Sequence, residues 1–245
     1  KKMRKTILLL ATLAIFTLQS RGQESISGSI DGWAQGAGEV YTGLFTLSEV
    51  GSIDDSGNFE IALKPGYLAE VKKKMEAENS NPDRKFTSQL LTLGESCQCA
   101  QGNVELVNGD QELTTLAVFG FMLANMEKQE KFGALVPASS KDFAEGYIKL
   151  GSYENTVGYA VDWYYVDKPG VAKGECSVDS YPVNGDEMYT RNTTYNLDLK
   201  PGWNLVKYEI SEIFTDEGGK TYPVKESITS ISEVPSGMQY IFIPE

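Results

Sequence analysis

The sequence predicts an all-β protein, mainly an antiparallel β-sandwich, with one or two short helices. Three observations predict it. Apolar and polar residues alternate with a period of two in many short segments. Gly, Pro, Asn and Asp interrupt those segments at short intervals. The composition is also that of an ordered chain, with 41% hydrophobic and 11% aromatic residues, including 13 tyrosines.

The first strands are short. Residues 26–33 (ISGSIDGW) alternate, and 39–47 (EVYTGLFTL) are rich in β-branched and aromatic side chains. Residues 51–63 (GSIDDSGNFEIAL) read as two strand halves around Asp54-Asp55-Ser56-Gly57-Asn58. Glycine tolerates positive φ there, and short Asp and Asn side chains bond nearby amides. After Pro65-Gly66 the period changes. Leu68, Val71 and Met75 fall at i, i+3 and i+7, and Glu70 precedes Lys74 by four, so residues 67–78 are expected to be helical. The lysine run Lys72–Lys74 reads as a solvated helix face.

The loop at 79–85 (NSNPDRK) is the one plausible boundary, giving a small N-terminal unit at 23–78 and a larger sandwich at 86–245. Strands are expected at 101–107, 113–126, 133–137, 156–166, 174–178, 195–199, 203–210, 227–231 and 239–243, with a second short helix at 142–150. Asn108-Gly109-Asp110 is a hairpin signal, and Lys168-Pro169-Gly170 and Lys200-Pro201-Gly202 are turn signals.

Lys1, Lys2, Arg4 and Lys5 precede an uncharged apolar run at 7–18, and small residues stand at Ser20 and Gly22. This pattern predicts a signal peptide at 1–22 and a secreted or periplasmic protein with no later membrane span. Its removal takes five basic side chains, leaving 17 basic against 34 acidic residues and a net charge of −17. Such a surface argues against nucleic acid as a partner.

The chain contains no histidine. That excludes Ser–His–Asp and Cys–His nucleophiles and His-ligated zinc. No phosphate-cradling loop, dinucleotide fingerprint or metalloprotease motif occurs. Catalysis by paired carboxylates remains open, and Asp162, set among apolar neighbours, is the acid that stands out.

Aromatic rings offer a ligand platform at Trp33, Trp163 and Trp203. By strand periodicity Tyr159, Val161, Trp163 and Tyr165 share one face, and Ala160, Asp162, Tyr164 and Val166 the other. The expectation is no cofactor, with calcium as the alternative at Asp54, Asp55, Asn58 and Glu60, where oxygen donors are dense. A second acidic loop lies at 184–187. Of the three cysteines, Cys176 is expected to pair with Cys97 or Cys99, because direct pairing of the two near neighbours is strained.

Residues 26–63, opening on ISGSI and closing on GSIDDSGNFEIAL, resemble the carboxypeptidase-regulatory-like, transthyretin-like modules of secreted bacterial proteins. The resemblance implies an accessory, non-catalytic β fold for that part, and the helix that follows departs from it. YYVDKPGVAKGEC at 164–176 and YNLDLKPGWN at 195–204 look similar to uncharacterised secreted bacterial proteins, which implies export and a structural role for Cys176.

The leading expectation is therefore an exported, non-catalytic β-sandwich protein that binds or scaffolds an extracytoplasmic ligand, a glycan or another protein. The alternative is a carboxylate-dependent hydrolase acting on extracellular polysaccharide.

Overall fold

The structure is a computed structural model and describes residues 25–43, 47–97, 99–149, 154–182 and 187–245. The segment expected to be a signal peptide lies outside the described residues, as does most of the acidic loop at 184–187.

The class is all-β with few helices. In order, the elements are β1 (Ser25–Ser29), β2 (Gly38–Thr42), β3 (Ser48–Ile53), β4 (Asn58–Ala62), α1 (Tyr67–Asn79), α2 (Leu93–Ser96), β5 (Gln101–Val107), β6 (Leu113–Thr115) and β7 (Phe121–Asn125). There follow β8 (Glu130–Ala138), α3 (Lys141–Ile148), β9 (Gly158–Val166), β10 (Gly170–Ser180), β11 (Tyr189–Leu199), β12 (Gly202–Thr215), β13 (Thr221–Ile231) and β14 (Gln239–Pro244).

The strands form one 14-stranded sheet in the order β1-β4-β3-β2-β7-β8-β9-β12-β13-β11-β10-β5, with β14 also on β8 and β6 also on β9. Neighbours are antiparallel except β11 and β13, which run parallel with Thr193 beside Glu226 and Tyr195 beside Ile228. Pairing of β2 with β7 carries the sheet across the 79–85 segment.

The sheet folds back on itself. Phe59 of β4 meets Tyr240 of β14 edge-on at 4.9 Å, and Trp33 meets Phe242 of β14 at 5.1 Å. One core cluster therefore joins Ile26, Val40 and Ile61 to Phe121, Leu135 and Trp163. The period-two reading of β9 holds: Val161, Trp163 and Tyr165 enter this cluster. On the other face, Val166 belongs to a second cluster with Leu197 and Val206, and Ala160 to a third with Phe143 and Ile210. Being covered on both sides, β9 (GYAVDWYYV) shows little polar alternation.

Three elements differ from expectation. Residues 113–126 are two strands, because the chain turns at Phe119 (φ 58°) and Gly120 (φ 85°). A Cβ on Gly120 would lie 2.8 Å from the Leu135 carbonyl oxygen, so side-chain-bearing residues are disfavoured there. Asn108 (φ 53°) does turn the chain, yet β5 pairs with β10 and β6 with β9, so no hairpin joins them. Helix α2 went unread in the sequence although its signal is local. The Thr92 hydroxyl accepts from the Glu95 amide at 3.1 Å, while the Glu95 carboxylate accepts from the Thr92 amide at 2.8 Å.

Candidate functional site

A cavity of about 480 Å³ lies against the face of β9 that carries Ala160, Asp162 and Tyr164. Strand β12 adds Val206, Tyr208 and Ile210, β13 adds Glu226 and Ile228, and β11 adds Arg191. Phe143, Gly146 and Tyr147 of α3 and the turn residues Val118 and Phe119 complete the lining. Helix α3 starts where the Ser140 hydroxyl accepts from the Phe143 amide at 3.2 Å, and it buries Phe143 and Ala144.

The site is built by register. Ala160 stands opposite Tyr208, Asp162 opposite Val206, Ile210 opposite Glu226, and Thr193 beside Glu226. Alternate residues of four strands thus share one face, although they span almost seventy positions of the chain.

Asp162 is 8% exposed. Its Oδ1 accepts from the amides of Trp163 and Ala117, both at 2.6 Å, and Leu116 at 3.2 Å. Among the described residues its second oxygen accepts no hydrogen bond, and no lysine or arginine forms an ion pair with it. Burial pushes its carboxyl up to about 6, against the pull of the three amides. Glu226 is 1% exposed and is met by the Arg191 Nε and the Tyr208 hydroxyl, with the Thr193 hydroxyl at 3.4 Å. Burial first, and nearby negative charge second, push the hydroxyls of Tyr147, Tyr164 and Tyr208 well above the usual range. They stay neutral in ordinary buffers. The Thr156 hydroxyl also lines the cavity and, buried, makes no hydrogen bond among the described residues.

The two acids have different uses. Glu226 is committed to its partners, whereas Asp162 holds a turn with one oxygen and leaves the other free. Family model, curated protein and solved structure alike yield no match to this chain.

The residues singled out in the sequence lie elsewhere, apart from Asp162. Trp163 is 1% exposed, within the first core, and its Nε1 has no partner among the described residues. Trp203 donates to the Lys64 carbonyl at 3.0 Å and lies against Tyr67 and Tyr165. Trp33 donates to the Gly36 carbonyl at 2.9 Å and meets Phe132 and Phe242 edge-on. Trp163 and Trp203 border one open depression with Tyr165 and Lys200, and Trp33 is not part of it.

In the calcium candidate, Asp54 Oδ1 accepts from the Ser56 and Asn58 amides and Oδ2 from the Asn58 side chain, at 2.8–2.9 Å. Asp55 accepts from the Ala37 amide at 2.9 Å, and Glu60 lies on β4 opposite Ser27 and Ser52. The Asn58 side chain and amide hold the Asp54 carboxyl below its usual range. Among the described residues no three His, Cys, Asp or Glu side chains group as a metal site. With N–H donors already on Asp54, a chelator is expected to leave the melting temperature unchanged; a calcium-dependent rise in a thermal-shift assay would contradict this.

Cys99 and Cys176 form a disulfide, and Cys97 is a buried free thiol. Burial pushes the Cys97 thiol up, only partly offset by the Ser96 hydroxyl. In the native protein Cys97 is expected to resist thiol reagents and to react only after denaturation, as a colorimetric thiol titration would reveal.

Asp162 gives a pH prediction. Its folded carboxyl titrates near about 6 and its unfolded one near 3.8, so the folded state holds the proton more tightly. Its favourable contribution is complete below the unfolded value and is lost as the pH rises through about 6. Two units amount to about 3 kcal/mol. Asp162→Asn keeps an oxygen for the three amides but cannot ionise. The variant is expected to gain stability over the parent by about 3 kcal/mol between about pH 4 and pH 7. Parallel denaturant titrations for the two proteins would refute this if they kept a constant offset.

Proposed function

We propose that the protein is an exported, non-catalytic β protein that binds a small extracytoplasmic ligand, or the end of a larger one, in the cavity over Asp162. The observation that carries this reading is the cavity itself. It is of ligand size and walled by aromatic rings, and among the described residues the Thr156 hydroxyl in its lining has no partner and Asp162 has one oxygen that accepts no hydrogen bond. A buried carboxylate without a counter-charge burdens the folded state, and such groups are found where function requires them. Export is supported by the disulfide, a bond that persists in oxidising compartments, and by the expected signal peptide. Among the described residues no helix is long and apolar enough to cross a membrane.

The test is a thermal-shift screen of small molecules, in which a ligand at about a hundred times its Kd adds about 2.7 kcal/mol. A hit that Val118→Trp abolishes, by filling the cavity from the turn, supports the reading. Hits that survive that substitution place binding elsewhere and sink it.

The alternative is a carboxylate-dependent hydrolase of extracellular polysaccharide. It is favoured by the raised Asp162 carboxyl, suited to a general acid, with Glu226 in the same cavity. It is weakened because Glu226 is engaged by Arg191 and Tyr208. Turnover of a polysaccharide that Asp162→Asn removes would establish the hydrolase and overturn the binding reading.

A further inference from the structure

We infer that the cavity takes the ammonium group of an organic cation, with Asp162 as its counter-charge and the rings of α3 and β12 as its wall. The inference rests on the reading of the cavity as the binding site and names the ligand's chemical class.

The charges facing the cavity come from three strands and one helix end. Glu226 on β13 is matched by Arg191 on β11, so that pair presents no net charge. Lys149, just beyond α3, is exposed and lies 3.6 Å from Glu154. The tyrosines Tyr147, Tyr164 and Tyr208 are neutral. Of the two carboxylates that line the cavity, Asp162 on β9 has no ion-pair partner among the described residues, and its free oxygen is the site's unmet acceptor. A cation would replace the water that burial removed from this group.

The aromatic wall has matching chemistry. Tyr147 lies 5.6 Å from Phe119, 5.9 Å from Phe143 and 5.8 Å from Tyr208, between ring centroids. All four rings line the cavity, and an aromatic ring face attracts a poorly hydrated cation. A neutral sugar fits less well. It brings no charge to the anionic free acceptor at Asp162, and the Nε donor of Arg191 is already engaged by Glu226. The acidic chain as a whole would also draw cations toward it.

Three probes separate the outcomes in calorimetric titrations: choline, its uncharged isostere 3,3-dimethylbutan-1-ol, and methyl β-glucoside. Choline is expected to bind at least about tenfold more tightly than the isostere. That preference is expected to fall as the pH drops through about 6, and to disappear in Asp162→Asn. Val118→Trp, with an unchanged circular-dichroism spectrum, is expected to abolish choline binding. If the isostere or the glucoside binds as tightly as choline, and Val118→Trp blocks it, the cation inference falls while the cavity reading stands. Choline binding that keeps its preference in both variants puts the site elsewhere and overturns both. No binding of any probe at millimolar concentration overturns the cation inference, leaving the cavity reading to the wider screen.

Discussion

Replacing Cys99 and Cys176 with serine is expected to lower stability by about 4.5 kcal/mol. The two residues are 77 positions apart, and the loop-entropy relation for a closed loop of that length gives this value at room temperature. Their Cα separation of 5.3 Å lies in the ordinary range for a disulfide. The bond holds the end of the sheet. Among the described residues strand β5 pairs with β10 alone, and it is exposed along nearly its whole length, so few apolar contacts retain it. Without the link, the amides of Gln101–Val107 are expected to exchange hydrogen faster than those of β9, as local opening at an edge does. Urea unfolding of the double-serine variant reads the global effect, and hydrogen exchange reads the local one. An unchanged midpoint would show that the disulfide contributes nothing to the fold.

Arg191→Met is expected to destabilise the protein by about 3–5 kcal/mol, the range for leaving one member of a buried ion pair alone. The asymmetry of the pair is the reason. The Glu226 side chain is 1% exposed while that of Arg191 is 49% exposed, so losing the cation strands a charge that water cannot reach. Adding Glu226→Gln to Arg191→Met is expected to restore most of the loss, because a neutral amide at 226 no longer needs the guanidinium. Tyr208→Phe, which removes a hydroxyl donor to Glu226, is expected to cost about 1.5–3 kcal/mol. Denaturant titration of the single and double variants checks all three. If the double variant is no more stable than Arg191→Met alone, then packing by the arginine stem, rather than its charge, supports this corner of the sheet.

Much of the local structure was legible in the residues. The i, i+3, i+7 pattern after Pro65-Gly66 foretold α1, since a helix start and its periodicity lie within a few positions of each other. The period of two along β9 separated Trp163 from Asp162, and it is why the one acid noticed in the sequence lines the cavity. The same periodicity left open which face holds a ligand. Trp163 looked like a platform but is core, because the N-terminal strands fold back over its face. The apolar stretch at 113–126 read as a single strand because nothing within it announces a turn as strongly as the partners of that turn do. Those partners are the Thr42 hydroxyl on the Leu116 carbonyl and the Asp162 carboxylate on the Leu116 and Ala117 amides.

The sequence by itself determined the all-β class, the turns at 54–58 and 200–202, helix α1 and the division of β9 into two faces. Each depends on steric and hydrogen-bonding preferences acting over a few residues. Only the tertiary structure decided that Cys99 rather than Cys97 meets Cys176, that Arg191 lies beside Glu226, and that Asp162 is buried with one oxygen unmet among the described residues. These outcomes follow from strand order: β5 beside β10 brings Cys99 near Cys176, and β11 parallel to β13 brings Arg191 near Glu226. Strand order reflects the burial of whole faces against one another, and no local stretch of residues contains that information.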